Sequence, residues 1–167
     1  MAEQRFRVGV LTLSDKGSRG EREDLSGPLI GQMLGDVRYE IAKTAVIPDE
    51  YDVIAATLAQ WSDREGLALI LTTGGTGVSP RDVTPQATLS ILDFEVPGLA
   101  EEMRRRSLEK TPNAMLSRAV AGIRGRTLIV NLPGSPKGVR ENLEVILPAL
   151  PHGLEKIAGD MSDCGKN

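Results

Sequence analysis

Two segments of the chain are apolar at almost every position, and this continuity limits the possible folds more than any other feature. They are LALILTT at residues 67–73 and TLIVNL at residues 127–132. A strand with one face in water alternates apolar and polar residues, whereas a strand that is apolar throughout is buried on both faces. Such strands are typical of a parallel sheet that helices cover on both sides.

Strand and helix patterns alternate along the rest of the chain. Residues 6–13 and 38–47 are predicted strands, and residues 117–130 predict a strand, a glycine-containing turn and a second strand. This order predicts a three-layer α/β/α sandwich, mostly parallel with an antiparallel edge strand. The predicted helices carry apolar stripes at Val53, Ile54, Leu58 and Trp61, at Leu99 and Met103, and along a long final helix from about Val139 that Pro148 is expected to kink.

Length and composition are those of a soluble protein of one domain. The chain has 167 residues, 40% hydrophobic and 26% charged, so we expect a single domain over residues 1–167 with flexible last residues. A net charge of −3 and an aromatic content of 3% disfavour nucleic-acid and membrane partners. The single cysteine, Cys164, excludes an internal disulfide, and the lack of a signal-peptide pattern predicts a cytoplasmic protein.

Polar residues follow each predicted strand. In open α/β sheets the ligand lies at the carboxyl ends of the strands, so the four loops that begin there are expected to form one site. The residues of these loops are Ser14 and Asp15 after the first strand, Asp49 after the second, Gly74 to Asp82 after the third, and Pro133 to Lys137 after the fourth.

The loop in LTTGGTGVSPRDVTP, residues 71–85, has three glycines in four positions. It matches neither the GxxxxGK[ST] phosphate loop nor the GxGxxG dinucleotide loop. The backbone N–H groups of Gly74, Gly75, Thr76 and Gly77 can still cradle a phosphate, because residues without a Cβ let an anion come close. The alternative interpretation is a tight turn between a strand and a helix.

Three charged residues in these loops each allow a functional and a structural interpretation. Asp82 either ligates Mg²⁺ beside the phosphates or accepts hydrogen bonds in the turn before a helix, whose N-cap we predict at Thr84 with Pro85 as the first helical residue. Asp49 is either a helix N-cap or part of the same site. Arg81 either contacts a phosphate or lies on the surface.

The remaining candidates narrow the chemistry. The loop at residues 131–138 presents a helix N-terminus, with Lys137 nearby, to an anion, unless it is a plain turn. His152, the only histidine, is expected in a surface or packing role on the last helix, so hydrolysis by a histidine triad and a histidine zinc site have little support. Phosphoryl-type chemistry needs neither, because it depends on positioning and charge stabilisation.

The motif GGTG-x-x-x-RDVTP-x-AT, followed by LPG-x-P, resembles the molybdopterin adenylyltransferase family, the MogA/MoaB-like proteins that include the G domain of gephyrin. The resemblance extends over almost the whole chain, from VGVLTLSDKGSRG to HGLEKIAGD. It implies an α/β sandwich, a homotrimer, and Mg²⁺-dependent transfer of the adenylyl group of ATP to the terminal phosphate of molybdopterin, with release of pyrophosphate. It also implies that the product is handed over to a molybdate-insertion protein.

The resemblance also assigns roles to individual residues. Asp49 and Asp82 match the two functionally important aspartates of the family, with Asp82 at the metal, and the glycine loop at residues 74–77 lines the phosphates. Because both aspartates are present, the chain resembles the active members. The pterin-side pocket corresponds to Ser14, Asp15, Ser117 and Arg118, and the second loop, near the nucleotide, to Pro133, Gly134 and Ser135, where Ser135 replaces the asparagine that is frequent in the family.

Two other classes of function remain open. One is a non-catalytic molybdopterin-binding or carrier protein of the same fold, and the other is a protein-interaction module. The retained aspartates argue against the first, and the lack of a linker argues against the second.

Overall fold

The computed structural model describes residues 5–161, which form one sheet of six strands flanked by helices. The strands are β1 Phe6–Leu13, β2 Tyr39–Ile47, β3 Leu69–Thr73, β4 Phe94–Glu95, β5 Ala121–Arg124 and β6 Thr127–Leu132. They lie in the order β2-β1-β3-β6-β5-β4, in which the pairs that join β2, β1, β3 and β6 are parallel and the pairs that join β6, β5 and β4 are antiparallel. The predicted parallel sheet with an antiparallel edge is therefore confirmed.

Helices cover both faces of this sheet, so the three-layer prediction is confirmed as well. The helices are α1 Asp15–Ser18, α2 Ser26–Met33, α3 Tyr51–Arg64, α4 Thr84–Ile91, α5 Pro97–Leu108, α6 Pro136–Ile146 and α7 Leu150–Ala158, with a 3₁₀ helix at Pro112–Leu116. One hydrophobic core contains side chains of α2, α5, α6 and α7, and the other contains side chains of α3 and α4. None of the helices within residues 5–161 is long and apolar enough to cross a membrane.

The central strands are apolar at successive positions because they contribute to both cores. On β3, Leu69 and Leu71 lie in the first core and Ile70 lies in the second. On β6, Val130 lies in the first core and Ile129 in the second. Each of these side chains is buried, which is the condition that the continuous apolar runs predicted.

Two helix predictions were wrong in detail. The expected long final helix is two helices, α6 and α7, because Pro148 has no N–H and the chain makes tight i→i−3 bonds there, from Ala149 to Ile146 and from Leu150 to Leu147. Val53, assigned to the apolar stripe of α3, is 40% exposed, whereas the other members of that stripe are buried. The expectations for Cys164 and for the last residues lie outside the described part of the chain.

Candidate active site

The parallel register brings three loops together at the carboxyl edge of the sheet. Thr73, the last residue of β3, is paired with Thr12 near the end of β1 and with Leu132 at the end of β6. The loops that follow these strands enclose a cavity of about 550 Å³, called the first cavity below. The predicted site residues that line it are Ser14, Asp49, Gly74, Gly75, Asp82, Gly134 and Ser135.

The glycine loop lies against the end of β1 and the start of α4. Gly74 has φ 104° and Gly75 has φ 67°, both in the left-handed region that favours glycine. A Cβ on Gly74 would collide with the Leu13 carbonyl oxygen, and a Cβ on Gly75 would collide with the Thr84 hydroxyl. The tight-turn interpretation is therefore correct for the backbone, and the same turn forms part of the cavity wall.

The amides of this loop differ in their availability to an anion. The N–H of Gly74 donates to the Leu132 carbonyl at 3.2 Å and so extends the sheet, which corrects its predicted place in the phosphate cradle. The next three amides, of Gly75, Thr76 and Gly77, donate to no group among residues 5–161. These three N–H groups in sequence are available to a phosphate, as in other backbone anion sites.

Thr84 anchors helix α4 to the glycine loop. Its hydroxyl donates to the Gly74 carbonyl at 3.0 Å, and its N–H donates to the Gly75 carbonyl at 3.2 Å. Val83 occupies the cap position, so the predicted N-cap at Thr84 was wrong, whereas Pro85 does lie in the first turn. Thr84 fails as a cap because its hydroxyl is a donor to the preceding loop and not an acceptor for the helix.

Asp49 and Asp15 bind each other's backbone. The Asp15 N–H donates to Asp49 Oδ2 and the Asp49 N–H donates to Asp15 Oδ1, each at 3.0 Å. Glu50, and not Asp49, occupies the cap position of α3, so the capping interpretation of Asp49 does not hold. Arg81 donates to both carboxylate oxygens of Asp15, at 2.9 and 3.0 Å, and to Glu50 at 2.8 Å. Arg81 is therefore an exposed ion-pair partner that fastens Asp15 to the loop.

The electrostatics of these carboxylates favour a cation in the first cavity. Burial raises the pKa of the Asp49 carboxyl above its ordinary value of 3.8, and the negative charges of Asp15 and Asp82 act in the same direction. The hydrogen bond from Arg81 lowers the pKa of Asp15, which keeps that carboxylate ionised. Asp49 thus carries its charge at an energetic cost that a bound cation would relieve.

Asp82 has a structural role in addition to its place on the cavity wall. Its Oδ2 accepts the Ser79 N–H at 2.9 Å, and its own N–H donates to the Ser79 carbonyl at 2.9 Å. A Cβ on Gly77 would lie 2.9 Å from the same carboxylate oxygen, so glycine is needed for this close approach. The two interpretations of Asp82 are therefore compatible, since it closes a turn and also lines the first cavity.

Asp49 and Asp82 together suit Mg²⁺, which binds through one or two carboxylates plus substrate phosphates. Within residues 5–161 no group of three or more His, Cys, Asp or Glu residues is placed to hold a metal. A donor set of two carboxylates beside a phosphate cradle fits a metal that shares its coordination with a nucleotide.

A second cavity of about 380 Å³ lies on the other side of the glycine loop. The predicted site residues that line it are Thr76, Gly77, Ser117, Pro133 and Ser135. Its other polar lining residues, Arg104, Ser107, Thr111, Asn113, Lys137, Glu141 and Asn142, were not predicted as site residues apart from Lys137. Ser135 lines both cavities, so the two are neighbours.

The Pro133–Ser135 loop is held in place by the elements around it. The Thr73 hydroxyl donates to the Pro133 carbonyl at 2.6 Å, and the Ser26 hydroxyl donates to the Gly134 carbonyl at 2.8 Å. Ser135 caps α6, since its hydroxyl accepts the Gly138 N–H at 3.0 Å. The predicted helix start after this loop is therefore confirmed.

Two of the predicted site residues line neither cavity. Asp15 is held by Arg81 and by the backbone of Asp49. Arg118 directs its guanidinium to the carbonyls of Gly77 and Asp82, at 2.7 and 2.5 Å. Ser14 does line the first cavity, and its hydroxyl also caps α1 by accepting the Gly17 N–H at 2.9 Å.

Fold and site together define a class. This is an α/β protein with a glycine loop of three available amides and two carboxylates at the carboxyl edge of a parallel sheet, the edge at which open α/β sheets bind ligands. A family model described as "probable molybdopterin binding domain" matches residues 9–152. The chain belongs to this family of molybdopterin-binding domains.

Individual relatives agree with the family assignment. A molybdopterin adenylyltransferase of Helicobacter pylori is 43% identical over 164 residues, which cover 94% of this chain and 90% of the relative. The Drosophila melanogaster molybdenum cofactor synthesis protein cinnamon is 47% identical over 158 residues, but the chain spans only 26% of its length. The solved structure of the molybdopterin biosynthesis enzyme MoaB from Thermus thermophilus matches with a TM-score of 0.88 and 59% identity, covering 93% of this chain and 98% of that one.

Proposed function

We propose that this chain is an enzyme of molybdenum cofactor biosynthesis that transfers the adenylyl group of ATP to the terminal phosphate of molybdopterin and releases pyrophosphate. The observation that carries the proposal is that the glycine loop borders two neighbouring cavities: Gly75 lines the first cavity together with Asp49 and Asp82, and Thr76 and Gly77 line the second. A reaction between the phosphates of two substrates requires two binding sites that adjoin at the reacting groups. The relatives of similar length are molybdopterin adenylyltransferases, and this chain is a nucleotidyltransferase.

The reaction is a displacement at the α-phosphorus of ATP. An oxygen of the molybdopterin phosphate forms a bond to that phosphorus, the bond from it to the β-phosphate bridging oxygen breaks, and pyrophosphate leaves with the electron pair. The amides of Gly75, Thr76 and Gly77 hold phosphate oxygens, and the N-terminus of α6 adds positive potential next to the same cavities. No covalent intermediate with the protein is required.

Asp49 and Asp82 are the residues that would hold Mg²⁺, with Asp82 as the first candidate ligand. When bound, Mg²⁺ neutralises charge on the phosphates and on the leaving group. The chain itself supplies orientation: Asp49 is fixed through Asp15 and Arg81, and Asp82 is fixed through the turn at Ser79. Carboxylates fixed in this way would keep a bound cation in one position, and positioning is a main contribution of the protein to such transfers.

Assembly, location and hand-over belong to the same proposal. We expect a homotrimer in the cytoplasm that passes adenylylated molybdopterin to a molybdate-insertion protein, as the family resemblance implies. Light scattering of the purified protein tests the trimer directly, because it should give three times the mass of the chain.

The test of the proposed function is a transfer assay with molybdopterin and Mg-ATP. We expect adenylylated molybdopterin and pyrophosphate in equal amounts, and no product after chelation of Mg²⁺. Asp82→Asn should lose most of the transfer but still bind molybdopterin. The matched control is Asp36→Asn, since Asp36 pairs with Arg38 just before β2, at the opposite edge of the sheet. Equal turnover by wild type and Asp82→Asn would refute the assigned role of Asp82.

A further inference from the structure

Arg118 spans the loop that carries Asp82. Its Nε donates to the Gly77 carbonyl at 2.7 Å and its Nη2 donates to the Asp82 carbonyl at 2.5 Å, so one guanidinium bridges both ends of residues 77–82. Its backbone N–H also donates to the Thr76 carbonyl, at 2.8 Å. The planar guanidinium has donors at fixed angles, and it can therefore set the separation of the two carbonyls it binds.

These contacts leave Asp82 little freedom. Its carbonyl accepts from Arg118, its N–H donates to the Ser79 carbonyl, and its Oδ2 accepts the Ser79 N–H. Of the three, only the Arg118 contact comes from outside the loop. Without it, only the turn itself and the ion pairs of Arg81 with Asp15 and Glu50 would hold this segment, in which residues 78–81 are exposed.

Arg118 also joins the wall of the second cavity to the loop of the first. It follows Ser117, which lines the second cavity, and its side chain reaches the backbone of Asp82, which lines the first. The guanidinium itself lines neither cavity. Arg118 therefore contacts the backbone of the loop and is not placed to touch a substrate in either cavity.

We propose that Arg118 is a positioning residue for the adenylyl transfer, which holds the Asp82 carboxylate in its reactive place by bridging the Gly77 and Asp82 carbonyls. The role rests on the proposed function, and it differs from the pterin-side contact that the family resemblance implies for this residue. Loss of the bridge should slow the chemical step more than it weakens the binding of either substrate.

The first test is steady-state kinetics of Arg118→Gln. We expect kcat to fall by about 10- to 100-fold, the order of loss from a small misplacement of reacting groups, with the KM values for ATP and molybdopterin changed by less than about threefold. In the Asp82→Asn background the same substitution should have almost no further effect, because the two residues act as one unit. If Arg118→Gln only reduced the amount of folded protein, it would lower the activity of Asp82→Asn by the same factor as that of wild type.

The matched control is Arg124→Gln. Arg124 also donates to a backbone carbonyl, that of Ile91 at 2.8 Å, and pairs with Asp63 away from both cavities. Its replacement should leave kcat unchanged. If Arg118→Gln does not fold, Arg118→Lys replaces it, since a single ammonium can reach one carbonyl but not bridge two, and a smaller loss of kcat is expected.

A second measurement does not depend on turnover. Hydrogen exchange at the amides of Ser79 and Asp82 should be faster in Arg118→Gln than in wild type, and unchanged in Arg124→Gln. Unchanged exchange in Arg118→Gln would overturn the positioning role, and so would a raised KM for molybdopterin with kcat preserved. A wild-type protein without transfer activity would refute the proposed function instead, and the exchange comparison would still decide the role of Arg118.

Discussion

Replacing Thr84 by valine removes a single hydroxyl from the base of the glycine loop. Thr84 is completely buried, and its hydroxyl donates to the carbonyl of the buried Gly74 at 3.0 Å. Valine has nearly the same shape and fills the same space, so the substitution leaves the Gly74 carbonyl without this donor and with little change in packing. The perturbation is therefore one unsatisfied acceptor in a dry environment.

The size of the effect follows from the cost of such an acceptor. A buried polar group that loses its partner costs about 1–3 kcal/mol of unfolding free energy. For a chain of this length 1 kcal/mol corresponds to about 2–4 °C in Tm, so a loss of about 2 kcal/mol lowers Tm by about 4–8 °C. Thermal unfolding followed by circular dichroism measures this shift directly.

The control for this experiment is Thr57→Val. The Thr57 hydroxyl donates to the Val53 carbonyl within α3, at 2.7 Å, in an exposed position where water can replace it. Its loss should change stability by less than about 0.5 kcal/mol, as is usual for surface substitutions. Equal shifts in Tm for Thr84→Val and Thr57→Val would refute the reasoning, because they would show that the Gly74 carbonyl does not depend on Thr84.

Three further substitutions test the same account. Gly75→Ala places a Cβ against the Thr84 hydroxyl on a residue with φ 67°. The free energy of unfolding should fall by at least about 1–2 kcal/mol, and adenylyl transfer should be lost. A wild-type Tm together with wild-type transfer activity would contradict the close contact. Asp49→Asn should raise Tm in metal-free buffer at pH 7. Burial raises the pKa of Asp49 in the folded state, so ionisation of this carboxyl lowers the free energy of unfolding as the pH rises from the ordinary pKa of 3.8 through the raised value. The gain should vanish below about pH 3, where both states are protonated, and a gain independent of pH would contradict this cause. Gly9→Ala should lower the free energy of unfolding by about 1–3 kcal/mol, because the new Cβ would lie 2.8 Å from Trp61. An unchanged midpoint in a urea titration would show that the Trp61 ring can move aside without cost.

Much of the fold could be predicted because the central strands carry their own signal. Leu69 to Leu71 are apolar in succession since they face two cores, and this pattern is local in the sequence. The glycine loop was found for a similar reason, because the left-handed conformations at Gly74 and Gly75 require glycine whatever lies nearby. Strand β4 was missed because a two-residue strand has no periodicity to detect.

The parts of the site that escaped prediction depend on contacts between distant residues. Asp49 resembles a helix cap in the sequence, yet its carboxylate accepts a hydrogen bond from the N–H of Asp15, 34 positions away, and not from the helix that follows it. Arg104 is the first of three successive arginines, a pattern that by itself indicates an exposed surface, but it donates to the Ala119 carbonyl at 2.8 Å and lines the second cavity. The bridge from Arg118 to Gly77 spans 41 positions, and no local pattern marks it.

The most direct test of the central claim follows the label from ATP into the product. The protein is incubated with molybdopterin, Mg²⁺ and ATP that is labelled either at the α-phosphorus or at the γ-phosphorus. The account predicts that the α-label appears in the pterin product and the γ-label in pyrophosphate. Transfer of the γ-label to the pterin would contradict adenylyl transfer, and bound molybdopterin without any label would show a carrier protein and not an enzyme.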